Sequence, residues 1–194
     1  MNFKLIDKVI FPTYSKLNVN MMSIMMGDPE SIPNNLKKYI PMINQCPLEK
    51  GTTVYLTVHE SNVEEGKTQR RPGIHTDATS TSSWGGGSWG GKEGIYLAST
   101  DGTCQVWDTQ TKKVDYMGSL KFKLISQSEI LKPNHLYWMS DRTPHESLPV
   151  KSTKVRQFFR LVGKDIGIWY SNHSTANPLG IKPQCLVSNV DKFK

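Results

Sequence analysis

From Gly51 onward the chain is a succession of short strand-like runs separated by turn residues, with no helix-period segment of comparable length between them. That pattern constrains the fold more than any other feature. In the stretch 53–59, Val54, Leu56 and Val58 alternate with Tyr55, Thr57 and His59, the period of a half-buried strand. Similar runs follow at 71–77, 94–99, 104–107, 114–116, 136–139, 145–150 and 155–162. Many short strands without intervening helices predict a mainly β, antiparallel sandwich or barrel. At 194 residues, one domain spanning 1–194 is the economical reading.

The N-terminal third reads differently. Residues 5–16 mix apolar and β-branched residues with Pro12, as a short edge strand would. Met21, Met22, Met25 and Met26 read as adaptable core filler. Within 31–45, Leu36, Tyr39, Ile40 and Ile43 mark one face of a short helix laid against the outside of a sheet. Pro33 is tolerated near its start, and Pro41 should end or kink it. The segment 169–194 mixes aromatic anchors with turn residues and is expected to wrap the outside of the sandwich.

A net charge of +7 favours anionic partners, yet the basic residues are scattered in pairs such as Lys37-Lys38, Arg70-Arg71 and Lys112-Lys113. Nucleic acid is therefore admitted as a partner but not favoured. Three widely spaced cysteines, Cys46, Cys104 and Cys185, fit neither a disulfide framework nor a zinc site, which points to a reducing compartment. No apolar run resembles a signal peptide or a membrane span, so the expectation is a soluble, intracellular protein. Nothing in the spacing fixes an oligomeric state.

The chemistry concentrates in three places. His75 and Asp77 are two apart in an extended segment, so both side chains reach the same face. His145 begins a later run, delivered by the turn Asp141-Arg142-Thr143-Pro144. Two imidazoles and one carboxylate are the ligand set of the facial triad that holds non-haem Fe(II). Arg156 and Arg160 lie an even number of residues apart on one further strand, so they share a face and parity does not choose between them. The glycine-rich segment 82–91, with Trp84 and Trp89, reads either as a mobile flap over a site or as a long hairpin loop packed by its tryptophans.

On the motifs PGIHTDA, LYWMSDRTPHESLPV and KVRQFFRLV, the chain resembles the Fe(II)/2-oxoglutarate-dependent dioxygenases, in particular their prolyl-hydroxylase-like branch, over about residues 54–162. The resemblance implies a double-stranded β-helix, or jelly-roll, over about 51–163. It implies His75, Asp77 and His145 as Fe(II) ligands and catalytic centre, with 2-oxoglutarate as co-substrate. Arg156 is preferred for the distal 2-oxoglutarate carboxylate, with Arg160 as the other candidate and Tyr96 as a looser one. His59, His135 and His173 match no motif position and are read as surface or structural residues. Retention of the Asp77 carboxylate favours hydroxylation over halide transfer. The implied substrate is a peptidyl or amino-acid side chain or other small molecule. The alternatives are a nucleic-acid demethylase of the same fold, a catalytically silent jelly-roll that binds a ligand or partner, and a plain metal-binding barrel.

Overall fold

The alternation that begins at Thr53 grows into the longest strand among the described residues. In the computed structural model, which describes residues 1–78, 93–111, 113–115, 118–120, 122 and 127–191, the strands in chain order are β1 (Phe3–Lys8), β2 (Asn18–Met25), β3 (Thr53–Val63), β4 (Ile95–Ser99), β5 (Cys104–Trp107), β6 (Ser128–Ile130), β7 (His135–Met139), β8 (His145–Ser147), β9 (Lys154–Val162), β10 (Ile168–Tyr170) and β11 (Leu186–Ser188). The expected glycine-tryptophan loop at 82–91 and Tyr116 of the expected 114–116 strand lie outside the described residues. No helix among the described residues is long and apolar enough to cross a membrane.

Six strands form an antiparallel sheet in the order β1-β7-β4-β9-β3-β2, and a smaller antiparallel sheet runs β6-β5-β8. The expected 71–77 strand is reduced to a bridge at His75, which pairs with His145 of β8 on one side and Ser119 on the other. These bridges extend the small sheet beyond β8. β10 and β11 make a short parallel pair.

Each face of the large sheet is covered by its own core. On one face Val54, Leu56, Val58, Tyr96, Phe159 and Leu161 meet Leu36, Tyr39, Met42 and Ile43 from the helical segment. On the other, Tyr55, Ile95, Leu97, Phe158 and Val162 meet Cys104 and Val106 of the small sheet. The protein is thus mainly β, a sandwich of antiparallel sheets with a helical layer on one outer face. Strand parity produces the division, because successive residues of β3, β4 and β9 must face opposite cores.

The expected helix over 31–45 is divided. Asn34–Tyr39 forms a 3₁₀ helix and Ile40–Asn44 a five-residue α-helix, α1. Pro41 has no N–H to donate and therefore sits in the first turn of α1. Met42 joins Leu36, Tyr39 and Ile43 in the core, while Ile40 is only half-buried.

The methionine cluster fills the core as expected, with Met21, Met22 and Met26 buried, and Met21, Met22 and Met25 lie on β2. The pairing of β2 with β3 slips between Val19 and Met22, a β-bulge with Met21 at φ 50°. One extra residue reverses the facing of the strand. Met21 therefore enters the core between the sheets, while Met22 and Ile24 pack under the helices. The C-terminal segment runs along the β2 edge, with Thr175 N–H donating to Asn20 and Asn177 Nδ2 donating to the Ser23 and Ser31 carbonyls. It does not stay wholly outside, because Trp169 is buried between the sheets and its indole N–H donates to the Met21 carbonyl at 2.7 Å.

Gly118 fixes the site-bearing segment from behind. Its φ is +80°, and a Cβ there would lie 2.3 Å from the Thr76 carbonyl oxygen and 3.1 Å from that of Ala78. Gly118→Ala is expected to cost roughly 2–4 kcal/mol, read as a fall of roughly 4–16 °C in thermal midpoint.

Candidate functional site

His75 and His145 face each other across a closed antiparallel pair. The His75 N–H donates to the His145 carbonyl at 3.0 Å, and the His145 N–H donates to the His75 carbonyl at 2.9 Å. Directly opposed residues project to one face, and the two rings lie 4.5 Å apart between centroids. Each ring is oriented by its own chain. His75 Nδ1 lies 2.7 Å from the Gly73 carbonyl, and His145 Nδ1 lies 3.0 Å from the Thr143 carbonyl. A carbonyl only accepts, so Nδ1 is the donor in each ring, and in a neutral imidazole this leaves the lone pair on Nε2. Nδ1 tied to a backbone carbonyl is the usual support of a metal-ligating histidine.

Asp77 follows His75 by two residues and lines the same cavity, whose volume is about 250 Å³. Its Oδ1 lies 3.4 Å from Nη1 of Arg160, with both side chains nearly buried. Among the described residues, no three His, Cys, Asp or Glu side chains are drawn together closely enough to hold a metal ion. The donor types nevertheless suit Fe(II): two imidazoles in the ligating tautomer, and a carboxylate with two acceptor oxygens on the same wall.

Arg156 and Arg160 both line the cavity, as their even spacing requires, with Phe158 between them. Arg156 is 1 % exposed. Its Nε donates to Ser99 Oγ at 2.9 Å and its Nη1 to Ser147 Oγ at 3.3 Å. These bonds use two of its five N–H donors. Among the described residues, no carboxylate lies within 4.0 Å of it. A buried guanidinium held by two hydroxyls, with no carboxylate beside it among the described residues, has N–H donors suited to an anion.

Tyr96 does not join this group. Its neighbours Ile95 and Leu97 line the cavity, so Tyr96 points to the opposite face and packs in the core under the helices. Its assignment to the 2-oxoglutarate carboxylate is corrected accordingly. His173, expected to be structural, reaches the cavity wall from the C-terminal segment, its Nε2 2.9 Å from Asp191 Oδ1. Asn20, at the β2 bulge, lines the cavity too.

The strongest unanticipated feature is cationic. Arg70 and Arg71 also line the cavity, giving it four guanidiniums against the carboxylates of Asp77 and Glu146. Arg70 lies over the Phe158 ring, 5.0 Å from its centroid, and Arg71 is hydrogen-bonded to Ser119 Oγ. Burial, then the Arg160 charge, pushes Arg70 down to about 9. Burial also holds Arg156 and Arg71 below the usual guanidinium value. His75 falls to about 3, through burial and then the neighbouring His145, so it is neutral at physiological pH. Cys104, on the same wall, is pushed up to about 12 by burial and stays a thiol. Parity carried part of the missing signal: Arg71 is four residues before His75 and Ser147 two after His145, each an even offset.

Fold and site define a mainly β protein with an arginine-rich cavity that also holds a facing histidine pair. No protein-family model matches the chain, and no curated protein does. Among solved structures, a non-heme monooxygenase, ThoJ in its apo form, superposes with a TM-score of 0.36 and 8 % identity, covering 58 % of this chain and 46 % of that one. The chain thus spans less than half of that protein. A superposition so loose carries no functional weight, and the chain's own side chains must supply the chemistry.

Proposed function

We propose that this chain is an Fe(II)- and 2-oxoglutarate-dependent oxygenase, a single domain with a jelly-roll core over about 51–163, that oxidises a C–H bond of an amino-acid or peptidyl side chain. The observation that carries the reading is Arg156, buried, with no carboxylate within 4.0 Å among the described residues, in the cavity that holds His75, Asp77 and His145. In this reading the Nε2 atoms of His75 and His145 and the Asp77 carboxylate hold the iron. Iron bound there with 2-oxoglutarate would couple the reduction of dioxygen to oxidative decarboxylation, one oxygen atom going to succinate with loss of CO₂ and the other to the substrate C–H bond.

The protein's own contribution is orientation and exclusion of water. Ser99 and Ser147 fix the Arg156 fork, so a carboxylate meets donors already aligned. Gly73 and Thr143 carbonyls hold the imidazoles in one tautomer. Arg160 fixes the angle of Asp77 and lowers the cost of its buried charge. Ile95, Leu97 and Phe158 supply the apolar walls.

Anaerobic titration with Fe(II) and then 2-oxoglutarate tests this reading through the metal-to-ligand charge-transfer band of the chelate. His145→Ala and Asp77→Ala are each expected to weaken Fe(II) binding by more than about 100-fold, beyond the 10–100-fold typical of outer partners. Both should lose the band and succinate formation; undiminished succinate in either variant overturns the assignment. A second reading, a catalytically silent anion-binding jelly-roll, is favoured by the contact between Asp77 and Arg160. It predicts 2-oxoglutarate binding with no Fe(II) dependence and no band.

A further inference from the structure

We infer that the cavity takes a second anion beside the one held by Arg156, and that the substrate is a small free carboxylic acid, of amino-acid size, whose carboxylate is held by Arg70. This rests on the oxygenase reading and narrows it, since a side chain within a peptide brings no such carboxylate.

The charge balance of the cavity supports it. Four guanidiniums stand against Asp77 and Glu146. A divalent iron and a dianionic co-substrate would cancel each other, and so would leave the repulsion among the lining guanidiniums unrelieved, although Asp115 and Asp101 act on Arg71 and Arg156 from outside the lining. Like charges in such surroundings repel far more strongly than in water, and a bound anion is the direct remedy. Arg70 and Arg160 are close enough that each charge acts on the other.

The four arginines do not play equal parts. Arg160 contacts Asp77, Arg71 is bonded to Ser119, and Arg156 is fixed by two serines. Arg70 rests on Phe158 through a cation–π contact, which consumes no N–H donor. Among the described residues, no carboxylate lies within 4.0 Å of it. Its planar fork suits a carboxylate in two-point contact.

Size points the same way. About 250 Å³ lies below the roughly 300–1,000 Å³ of pockets for drug-sized ligands. Two metabolite-sized molecules are a better match than a co-substrate together with a folded peptide segment.

The test is calorimetric. Protein loaded with Mn(II) and saturated with 2-oxoglutarate, and the same protein free of both, are titrated with the twenty free L-amino acids and with their C-terminal amides. At least one free acid is expected to bind, with its amide at least tenfold weaker. Arg70→Gln should weaken that acid at least tenfold while changing 2-oxoglutarate affinity less than threefold. Arg70→Lys, which keeps the charge but loses the fork, guards against misfolding and should fall between the two. Equal binding of acid and amide, no binding of any acid, or unchanged binding in Arg70→Gln overturns the proposal. Failure of 2-oxoglutarate to bind the wild type would instead remove the oxygenase reading, while an Arg70-dependent preference for acid over amide would still stand.

Discussion

Arg156→Met is expected to abolish 2-oxoglutarate binding and at the same time to leave the ligand-free protein as stable as the wild type, or more stable. The two halves of this outcome come from the same physical fact. A guanidinium at 1 % exposure has lost its hydration, and two serine hydroxyls return only part of what water supplied. Replacing buried ionic groups by apolar side chains of similar volume is commonly neutral or stabilising by about 1–4 kcal/mol. Methionine has the length and flexibility to fill the space beside Cys104 and Phe158.

The ligand reverses the order. At a concentration of 100 times its dissociation constant, a ligand specific to the folded state stabilises it by about 2.7 kcal/mol. Wild-type protein should therefore gain stability with 2-oxoglutarate, and Arg156→Met should gain none. Thermal melts of both proteins across a 2-oxoglutarate series check this directly. A variant less stable than wild type by several kcal/mol without ligand would assign Arg156 to the structure, and a variant that still responds to 2-oxoglutarate would move the clamp to Arg160 or Arg70. Arg160→Met provides the contrast. Its removal takes from the nearly buried Asp77 carboxylate the guanidinium 3.4 Å away and should destabilise the protein.

The sequence anticipated which candidate residues share a wall where strand parity fixes their side chains. His75 with Asp77, and Arg156 with Arg160, need only an extended backbone to share a face, and each pair lines the one cavity. Tyr96 was misplaced for a related reason. β4 lies between β7 and β9 and is buried on both faces, so it lacks the polar and apolar alternation that tells one face from the other. A glycine-rich segment before it removed any register from upstream. Arg70 and His173 reach the cavity through tertiary structure, and a local pattern carries no signal for that. The same holds for Met21, whose position depends on a bulge where β2 meets β3.

A second large effect is expected far from the cavity, at Glu60, where Glu60→Gln should cost roughly 3 kcal/mol at pH 7. Glu60 is 3 % exposed, on the helix-facing side of β3. Its Oε2 accepts from the Ser15 N–H at 2.6 Å and the Leu17 N–H at 3.1 Å; its Oε1 accepts from Tyr39 at 2.7 Å and Gln157 at 3.2 Å. The Lys38 ammonium stands 3.5 Å away. One carboxylate thus ties the chain before β2, the 3₁₀ helix and β9 to β3. Glutamine would direct an NH₂ group at donors, leaving some of them buried and unpaired. Burial alone would raise the carboxyl pKa, but the hydrogen bonds from Ser15, Tyr39, Leu17 and Gln157 outweigh it, and the net displacement is downward. A pKa depressed by folding contributes stability that is present above the unfolded value, about 4.3, and is lost as pH falls through the folded one. Denaturant melts from pH 7 to pH 3 should therefore show the wild type losing stability below about pH 4.3, with a shallower loss in Glu60→Gln. At pH 7 the variant's thermal midpoint should fall by roughly 6–12 °C. Parallel acid limbs in the two proteins would show that the Glu60 carboxylate does not carry this stability. Because the network lies on the far face of the sheet, the same variant should keep its Fe(II) and 2-oxoglutarate affinities at temperatures where it is folded, which separates the scaffold's energetics from those of the site.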